Sequence, residues 1–289
     1  MTIPARSSGY AGKISAIPPV PRLLRDLVHE RIGIYFDDDR LDLMLEKLEP
    51  RAEARGCSSY LDYYYLLKYD ERESEEWHRV MDVFSVQETY FWRELDQIRA
   101  LVDKVVPAWF ARTKEPLRIW SAACATGEEP YSIAIALQEA GWGAYPIQIF
   151  ASDASDSALE KARACVYRDR SFRTLPRALK EKYFEARGEF HFLRPEISSR
   201  VSFHWANLMK LDDFSETTAT EVIFCRNVFI YFSPGAIRHV VETFAKRLPE
   251  NGHLFVGASE SLLKLTTQFE LEELASAFVY RRRGLPPTV

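Results

Sequence analysis

A loop of small residues followed by two carboxylates is the first feature of this sequence that could do chemistry. Residues 121–127 (SAACATG) follow an apolar run that predicts a strand, and Glu128 and Glu129 open the helix that comes next. With one glycine, the loop is not the G-x-G-x-x-G turn that holds a pyrophosphate. Carboxylates at a helix N-terminus repel phosphate and suit a cationic or hydroxyl-bearing ligand. They could equally complement the helix dipole, worth about 0.3–1 kcal/mol for each charge, and the loop alone leaves both interpretations open.

Asp153 ends the second predicted strand, 24 residues after Glu129. An acid at this place typically hydrogen-bonds the hydroxyls of a ribose. The alternative is a helix N-cap, a role that Ser155 or Asp156 could also fill. Loop and acid together favour a nucleoside-containing cofactor without an essential phosphate. S-adenosylmethionine fits, since it carries ribose, adenine and a positive sulfonium; its product would be S-adenosylhomocysteine.

The charge balance excludes several classes of protein. Among 289 residues, 38 are Lys or Arg and 42 are Asp or Glu, so the net charge is −4 and the basic excess of a nucleic-acid binder is absent. The longest run without Asp, Glu, Lys or Arg, residues 140–152, falls short of the roughly 20 apolar residues of a membrane span. Residues 1–21 contain no apolar block, which predicts a flexible N-terminal extension and not a signal peptide.

Cysteine and histidine spacing predicts no metal site. Cys57, Cys124, Cys165 and Cys225 form no C-x-x-C pair, and the six histidines form no H-E-x-x-H pair. Free thiols and no secretion signal predict a reduced, cytoplasmic protein. A monomer is favoured, although the sequence does not determine the oligomeric state.

The spacing of apolar residues changes after residue 112, and this change predicts two domains. From Arg22 to Arg112 apolar residues recur at helical spacing, which predicts an all-α N-terminal domain over 22–92 and a linker helix over 93–115. From 116 to 289, apolar runs at 117–120, 147–150, 222–225 and 253–256 alternate with helical segments. That alternation predicts an α/β domain with a mostly parallel, doubly wound sheet. Residues 277–280 predict an edge strand.

Residues 166–205 interrupt this alternation. Residues 176–184 are helical in pattern, whereas 189–192 and 201–205 predict short strands. We interpret the whole stretch as a small β-subdomain inserted into the α/β domain.

Three longer stretches and one short one resemble the bacterial chemotaxis receptor methyltransferases (CheR type), which methylate receptor glutamates. They are residues 87–94 (QETYFWRE), 120–132 (WSAACATGEEPYS) and 223–232 (IFCRNVFIYF), with Asn207-Leu208 as the short match. They follow the family's order, and the resemblance as a whole covers roughly residues 22–283. The resemblance implies a helical N-terminal domain and an S-adenosylmethionine-binding α/β domain with a small β-subdomain.

The resemblance also implies roles for individual residues. Arg93 and Tyr231 would act at the reacting centre, with Arg93 facing both cofactor and acceptor. Glu129 would meet the amino-acid end of the cofactor and Asp153 its ribose. The full set of cofactor-binding residues implied is Gln87, Thr89, Arg93, Glu129, Asp153, Asn207, Leu208, Arg226 and Asn227.

Methyl transfer to a glutamate asks little acid–base chemistry of the enzyme. An ordinary Glu has a pKa of about 4.3 and is already an anion at pH 7, so no general base is required. The enzyme must supply position and a dry cavity. Arg93 can orient the carboxylate through its fork of N–H donors, and Tyr231 can add a hydroxyl. Two alternatives remain: a methyltransferase for another protein or small-molecule carboxylate, and a silent module that senses the cofactor.

The sequence departs from the family at three places. Gln87 replaces a usual Asn, and Ala258 replaces a usual His. The stretch 187–191 is short and has one glycine, where members that dock a receptor's tail peptide carry a longer glycine-rich loop. We therefore expect this protein to recognise receptor methylation helices without needing a tail pentapeptide.

Two surface features of the helical domain have competing interpretations. Arg40, Lys47, Arg51 and Arg55 fall on one helix face and could dock an acidic receptor helix, or form a solvated face with the interleaved acids. The aromatic cluster between Tyr60 and Tyr69 is expected to pack within the domain, and not to stack nucleic-acid bases.

Overall fold

The computed structural model describes residue 14 and residues 17–69, 73–213 and 220–284. The chain divides into two compact units, Met1–Phe84 and Ser85–Val289. The division falls before residue 92, where the sequence pattern placed the end of the helical domain, and it puts the stretch 93–115 in the second unit. The N-terminal extension expected over 1–21 lies largely outside the described residues. None of the described helices is long and apolar enough to cross a membrane.

The first unit is all-α, as its apolar spacing predicted. Its helices bury one apolar stripe each; in the first, Leu24, Leu27, Val28 and Ile32 are buried. That helix ends at Gly33, which has a φ of 79° and donates its N–H to the carbonyl of His29. The helices are α1 (Val20–Ile32), α2 (Leu41–Ala54), α3 (Tyr60–Tyr69) and α4 (Glu73–Phe84).

A buried carboxylate, Glu76 on α4, organises the polar interior of this unit. The Arg51 guanidinium donates two N–H groups to it at 3.0 and 2.7 Å, and the Tyr63 hydroxyl donates a third bond at 2.8 Å. Arg55 Nε lies 3.8 Å from the same carboxylate. Half of the predicted basic stripe is therefore engaged inside the unit.

The aromatic cluster of α3 packs only in part. Tyr60 and Tyr63 are buried, as expected, whereas Tyr65 and Tyr69 are exposed. The packing prediction is wrong for these two, because they lie on the side of the helix that turns away from the core. Helix α2 also continues through Pro50.

The second unit opens with a non-helical segment, 85–94, and a long helical stretch. The stretch consists of α5 (Leu95–Ala100), a π-helical turn (Leu101–Val105) and α6 (Val106–Arg112). Its apolar face, including Ile98, Leu101 and Val105, belongs to the unit's main hydrophobic core. The predicted linker helix is thus part of the core of the second unit.

A seven-stranded sheet forms the centre of this unit, in the order β6-β2-β1-β7-β8-β10-β9. The first five are parallel, and β10 and β9 are antiparallel. Ile119 joins the core on one face and Trp120 the core on the other, because successive strand residues point to opposite faces. The strands are β1 (Leu117–Ala122), β2 (Ile147–Asp153), β6 (Val201–Trp205), β7 (Val222–Phe224), β8 (His253–Phe255), β9 (Phe269–Leu274) and β10 (Ala277–Arg282).

Helices cover both faces of this sheet, which confirms the doubly wound α/β prediction. Residues of α7 and α8 join one core cluster, and residues of α11 join the other. The helices are α7 (Glu128–Glu139), α8 (Asp156–Ala164), α9 (Arg177–Tyr183), α10 (Pro195–Ser198) and α11 (Pro234–Arg247).

Two strand assignments from the sequence need correction. The stretch 277–280 is not an edge strand, because β9 pairs along its outer side and takes the edge. The stretch 201–205 is not part of the inserted subdomain, because β6 pairs in parallel with β2 in the main sheet.

The inserted subdomain is a three-stranded sheet in the order β3-β5-β4. Gly188, with a φ of 62°, forms the turn between β4 and β5. Aromatic rings pack beneath the sheet, with Phe91 stacked on Phe172 at 5.3 Å between ring centres. The strands are β3 (Val166–Tyr167), β4 (Phe184–Arg187) and β5 (Phe190–Leu193).

Candidate active site

The carboxyl ends of β2, β1 and β7 meet at one edge of the parallel sheet. Because these strands are neighbours, they bring together Asp153, the loop 121–127 and Arg226. In open α/β sheets this edge is where ligands bind. The sequence predicted residues at each of these three strand ends, and the fold places them side by side.

The loop after β1 turns tightly through left-handed backbone. Ala123, Ala125 and Gly127 have φ values of 56°, 47° and 92°. A Cβ at Gly127 would lie 3.0 Å from the Ala162 Cβ and 3.2 Å from the Tyr167 hydroxyl. The turn thus needs glycine at this position, and small side chains elsewhere leave room for a ligand near the backbone.

Asp153 is buried and holds two turns of backbone. One carboxylate oxygen accepts the N–H of Ala125 at 2.9 Å, and the other accepts the N–H of Ser155 at 2.8 Å. The N-cap of α8 is Ser155, whose hydroxyl accepts the N–H of Ala158. Ser155, and not Asp153, is therefore the N-cap of α8. Asp153 instead anchors the loop after β1 to the end of β2.

The two carboxylates that open α7 have different surroundings. Glu128 is buried and accepts the Thr126 hydroxyl at 2.6 Å and the Ser171 hydroxyl at 3.0 Å. Burial raises its pKa above the ordinary value, while the Thr126 hydrogen bond opposes the shift. Glu128 thus ties the loop to the inserted subdomain and is turned away from the sheet edge.

Glu129 points to the end of β7. It accepts the Ser121 hydroxyl at 2.7 Å and pairs with Arg226 Nη1 at 3.1 Å. Burial raises the pKa of Glu129, and the Arg226 charge opposes that rise. A second positive charge would lower the cost of keeping this carboxylate ionised.

Arg226 is buried, and its side chain is only 2% exposed. Besides Glu129, it donates to the carbonyl of Arg93 at 2.7 Å and pairs with Glu94 at 3.2 Å. Its Nε is buried without a hydrogen-bond partner among the described residues. One guanidinium therefore serves two carboxylates and fixes the backbone beside Arg93.

Asn227, in left-handed backbone with a φ of 60°, links the next two strand ends. Its side-chain amide donates to Glu94 at 3.2 Å, and its backbone N–H donates to Glu260 at 2.8 Å. Glu260 also accepts the N–H of Gly257 at 2.6 Å and of Ile230 at 3.3 Å. A Cβ at Gly257 would lie 2.6 Å from the Asn227 amide nitrogen, so only glycine fits there.

Sequence reasoning did not assign roles to Glu94 and Glu260. Glu94 accepts from four groups: Gln97, Arg226, Asn227 and the N–H of Ala258. Glu94 ends the stretch 87–94, and Glu260 lies two residues after Ala258. The sequence gives no signal for these roles, because the partners Arg226 and Asn227 lie more than 30 residues from the acids that they contact.

Arg93 is half-buried in the segment 85–94. One of its N–H groups donates to the carbonyl of Glu88 at 2.9 Å, and its guanidinium lies 5.6 Å from the centre of the Tyr90 ring. Arg173 covers the same ring at 3.6 Å and pairs with Glu88 at 2.6 Å. Within the described residues, most of the Arg93 donors remain available for an anionic ligand.

The other predicted residues lie around the same edge. Gln87 uses its whole amide: it donates to Ser157 at 3.0 Å and Ser155 at 3.3 Å and accepts from Lys161 at 2.7 Å. Thr89 is half-buried in the same segment. Gln87 therefore fastens the segment to the start of α8.

The last three predicted residues follow β6 and β7. Asn207 is buried and accepts the N–H of Met209 at 2.9 Å, and Leu208 beside it is also buried. Tyr231 ends the short 3₁₀ turn Phe229–Tyr231 and is 39% exposed. Hydrogen bonds connect Gln87, Arg93, Glu129, Asp153, Arg226 and Asn227 to the sheet edge, whereas Thr89, Asn207, Leu208 and Tyr231 share it by position.

The donor set fits a cationic nucleoside. Asp153 and Glu129 offer carboxylates to hydroxyls and to a positive charge, and the left-handed loop between them is lined by small side chains. The carboxylate that opens α7 beside Arg226 would repel a phosphate. Ribose hydroxyls are common to S-adenosylmethionine and to dinucleotides, but a carboxylate placed for a positive charge, where a dinucleotide would need its phosphates bound, favours S-adenosylmethionine.

Comparison with known proteins places the chain in a family. A family model described as "CheR methyltransferase, SAM binding domain" matches residues 87–278, and "CheR methyltransferase, all-alpha domain" matches residues 22–85. Chemotaxis protein methyltransferase 2 of Vibrio cholerae is 34% identical over 261 residues, covering 89% of this chain and 90% of that protein. The chemotaxis protein methyltransferases of Salmonella typhimurium and Escherichia coli are each 32% identical over 255 residues, covering 86% of this chain and 86% and 87% of those proteins. The chain belongs to the CheR methyltransferase family.

Proposed function

We propose that this protein transfers a methyl group from S-adenosylmethionine to glutamate side chains of chemotaxis receptors, in the cytoplasm, as part of receptor adaptation. The names of its relatives support the reaction and the pathway. The observation that carries the proposal is the half-buried Arg93. Its backbone is fixed by the buried Arg226, which also holds Glu129, while most of its own donors stay free for an anionic acceptor.

Bound S-adenosylmethionine would supply an electrophilic methyl group. Asp153 would accept hydrogen bonds from the ribose hydroxyls while keeping its backbone N–H partners. Glu129 would attract the ammonium of the amino-acid end, since among the described residues its ion pair is with an arginine that also serves Glu94. Asn207 and Leu208 would frame the adenosine, and Gln87 would act on the cofactor side through α8.

Arg93 and Tyr231 would orient the acceptor. A glutamate side chain is an anion at neutral pH, so the chain needs to position it and not to deprotonate it. A guanidinium fork holds a carboxylate by parallel N–H bonds and fixes its plane. The Tyr231 hydroxyl would add one hydrogen bond from the other strand end.

For receptor recognition we retain direct binding to the methylation helices, without a tail pentapeptide. The β4–β5 turn is short, and Phe190 and His191 follow it directly. Arg51 and Arg55 face Glu76, so docking through the basic stripe would depend on Arg40 and Lys47. A pentapeptide titration should show no binding tighter than about 1 mM; a micromolar complex would contradict this part of the proposal.

Transfer of a radiolabelled methyl group to receptor-containing membranes tests the reaction. We expect label in the receptor that base treatment releases, because an ester hydrolyses in base and an amide or amine does not. Label that resists base, or that enters a metabolite panel in preference to receptors, would favour another acceptor. Cofactor binding with no transfer to any acceptor would favour a sensing module.

A further inference from the structure

Residues 171–174 of the inserted subdomain lie against the segment that carries Arg93. The backbone N–H of Phe91 donates to the carbonyl of Ser171 at 2.9 Å, and the Thr174 hydroxyl donates to the carbonyl of Phe91 at 2.7 Å. Phe91 is itself fully buried. These two hydrogen bonds fix the place where the segment 85–94 meets the subdomain, two residues before Arg93.

The backbone on both sides of Arg93 is held in a conformation that is costly by itself. Trp92 and Glu94 have φ values of 66° and 50°, and side chains other than glycine adopt this left-handed region only when their surroundings hold them there. The N–H of Trp92 donates to the Ser132 hydroxyl at 3.1 Å, and the carbonyl of Arg93 accepts from Arg226 at 2.7 Å. A fixed backbone does not fix a side chain as long as that of arginine, which needs contacts of its own.

The direction of the Arg93 side chain depends on Glu88 and Tyr90. The carbonyl of Glu88 accepts one N–H of the Arg93 guanidinium at 2.9 Å, and the guanidinium lies 5.6 Å from the centre of the Tyr90 ring. The Glu88 side chain is 64% exposed and Tyr90 is half-buried, so packing restrains them little. In the described chain, the hydrogen bonds, ion pairs and ring contacts of these two residues go to Arg93 and Arg173.

Arg173 joins these two residues from the side of the subdomain. Its guanidinium lies 3.6 Å from the centre of the Tyr90 ring and pairs with the Glu88 carboxylate at 2.6 Å. An exposed ion pair alone contributes little, but a planar guanidinium on an aromatic ring adds cation–π attraction and stacking. The Arg173 side chain is 43% exposed, so its removal leaves no buried cavity.

We propose that Arg173 is a positioning residue for methyl transfer, which holds Glu88 and Tyr90 so that the Arg93 guanidinium faces the acceptor. Its effect on transfer rests on the proposed function, whereas its hold on Arg93 does not. The role gives the inserted subdomain a part in the reaction that requires no receptor peptide bound to it. Because Arg173 touches neither Glu129 nor Asp153 in the described contacts, cofactor binding should not depend on it.

Steady-state transfer to receptor-containing membranes tests the role. Arg173→Ala should lower kcat about tenfold, with the S-adenosylmethionine dissociation constant changed no more than about twofold. Arg173→Lys keeps the charge but not the planar stack, and its kcat should lie between those of the wild type and Arg173→Ala. The matched control is Arg177→Ala, which removes another exposed arginine paired with a glutamate, Glu181, and should leave kcat unchanged. A normal kcat in Arg173→Ala, or an equal loss in the control, would overturn the proposal.

A double variant separates positioning from general support of the fold. If Arg173 acts through Arg93, the variant that carries both Arg93→Ala and Arg173→Ala should transfer methyl groups no more slowly than Arg93→Ala alone. If the two losses multiply, Arg173 acts independently of Arg93 and the proposal is wrong.

The mobility of the Arg93 side chain gives a readout without methyl transfer. We expect the ¹⁵N heteronuclear NOE of the Arg93 Nε–H group, in the full chain saturated with S-adenosylhomocysteine, to be that of a restrained group. It should fall in Arg173→Ala and stay unchanged in Arg177→Ala; Arg93→Lys identifies the signal by its loss. An unchanged value in Arg173→Ala would refute the hold on Arg93. If the wild type labels no receptor, the proposed function fails, and this measurement still decides whether Arg173 positions Arg93.

Discussion

Glu76 in the helical unit is buried and Glu129 in the α/β unit is half-buried; both carboxylates pair with an arginine, and they differ in what else surrounds them. Glu76 receives two N–H bonds from Arg51 and one from the Tyr63 hydroxyl. Glu129 receives one N–H from Arg226 and one hydroxyl bond from Ser121. Arg226 also pairs with Glu94, whereas both of the Arg51 hydrogen bonds described above go to Glu76.

The difference separates a carboxylate used for folding from one available for binding. A buried charge is tolerable when its partner neutralises it and its oxygens accept several hydrogen bonds. Glu76 meets both conditions within its own unit. At Glu129 two carboxylates share the Arg226 guanidinium, so Glu129 is less fully neutralised by its partner than Glu76 and can attract a cationic ligand.

The largest effect should come from breaking the pair between Arg51 and Glu76. Arg51→Met leaves Glu76 buried without its main partner, and we expect the free energy of unfolding to fall by about 3–5 kcal/mol. Urea unfolding followed by circular dichroism measures it. Arg40→Met, at the exposed start of α2, is the control and should change little. A loss below about 1 kcal/mol would remove the distinction between the two carboxylates.

Arg93→Ala tests whether the site beside Glu129 orients an acceptor. We expect transfer to fall about 100-fold, with the S-adenosylmethionine dissociation constant changed no more than about threefold, because Arg93 is proposed to orient the acceptor. Arg93→Lys keeps the charge without the fork and should lie between the two. Normal turnover in Arg93→Ala would reject the orienting role.

Asp153→Ala should act in the opposite sense, on binding. Lost hydrogen bonds to the ribose should cost about 1–3 kcal/mol of cofactor affinity by calorimetry. Asp156→Ala, three residues later at the start of α8, is the matched control. If the two variants bind the cofactor equally well, the ribose assignment fails.

The smallest predicted effect concerns pH. Because burial raises the pKa of Glu129, it takes up a proton at a higher pH than an ordinary glutamate does. Protonation removes its attraction for the cofactor's ammonium, so affinity should fall as the pH is lowered from 7 toward the range where ordinary glutamates titrate. Glu129→Gln should bind weakly and independently of pH, whereas Glu128→Gln should keep the dependence. A flat wild-type profile would contradict the role of Glu129.

Much of the fold follows from local pattern. Apolar runs located β1, β2, β7 and β8, because buried parallel strands are nearly continuous in apolar residues. Strand β9 was missed because its three glutamates, at 270, 272 and 273, hide a half-exposed edge strand. The pairing of β6 with β2 could not be read from sequence, because it depends on contacts across about fifty residues.

Part of the candidate site could likewise be predicted from the sequence, and part could not. Asp153 and Glu129 could be located because strand ends and helix starts are local features. The contacts of Arg226 and Asn227 with Glu94 could not, because Asn227 and Glu94 lie 133 residues apart in the chain and meet only after the sheet forms. The unequal roles of Glu128 and Glu129 depend on a one-residue rotation about the helix axis that composition does not reveal.

The carboxylate of Glu260 gives the loops after β7 and β8 an unusual property for loops. It accepts the backbone N–H groups of Asn227, Gly257 and Ile230, so these amides are bound to a charged group. An amide proton exchanges with solvent only when its hydrogen bond opens. In deuterated water these loop protons would persist on the timescale of core strands, so the ligand-binding edge would behave as part of the slowest-opening region of the unit.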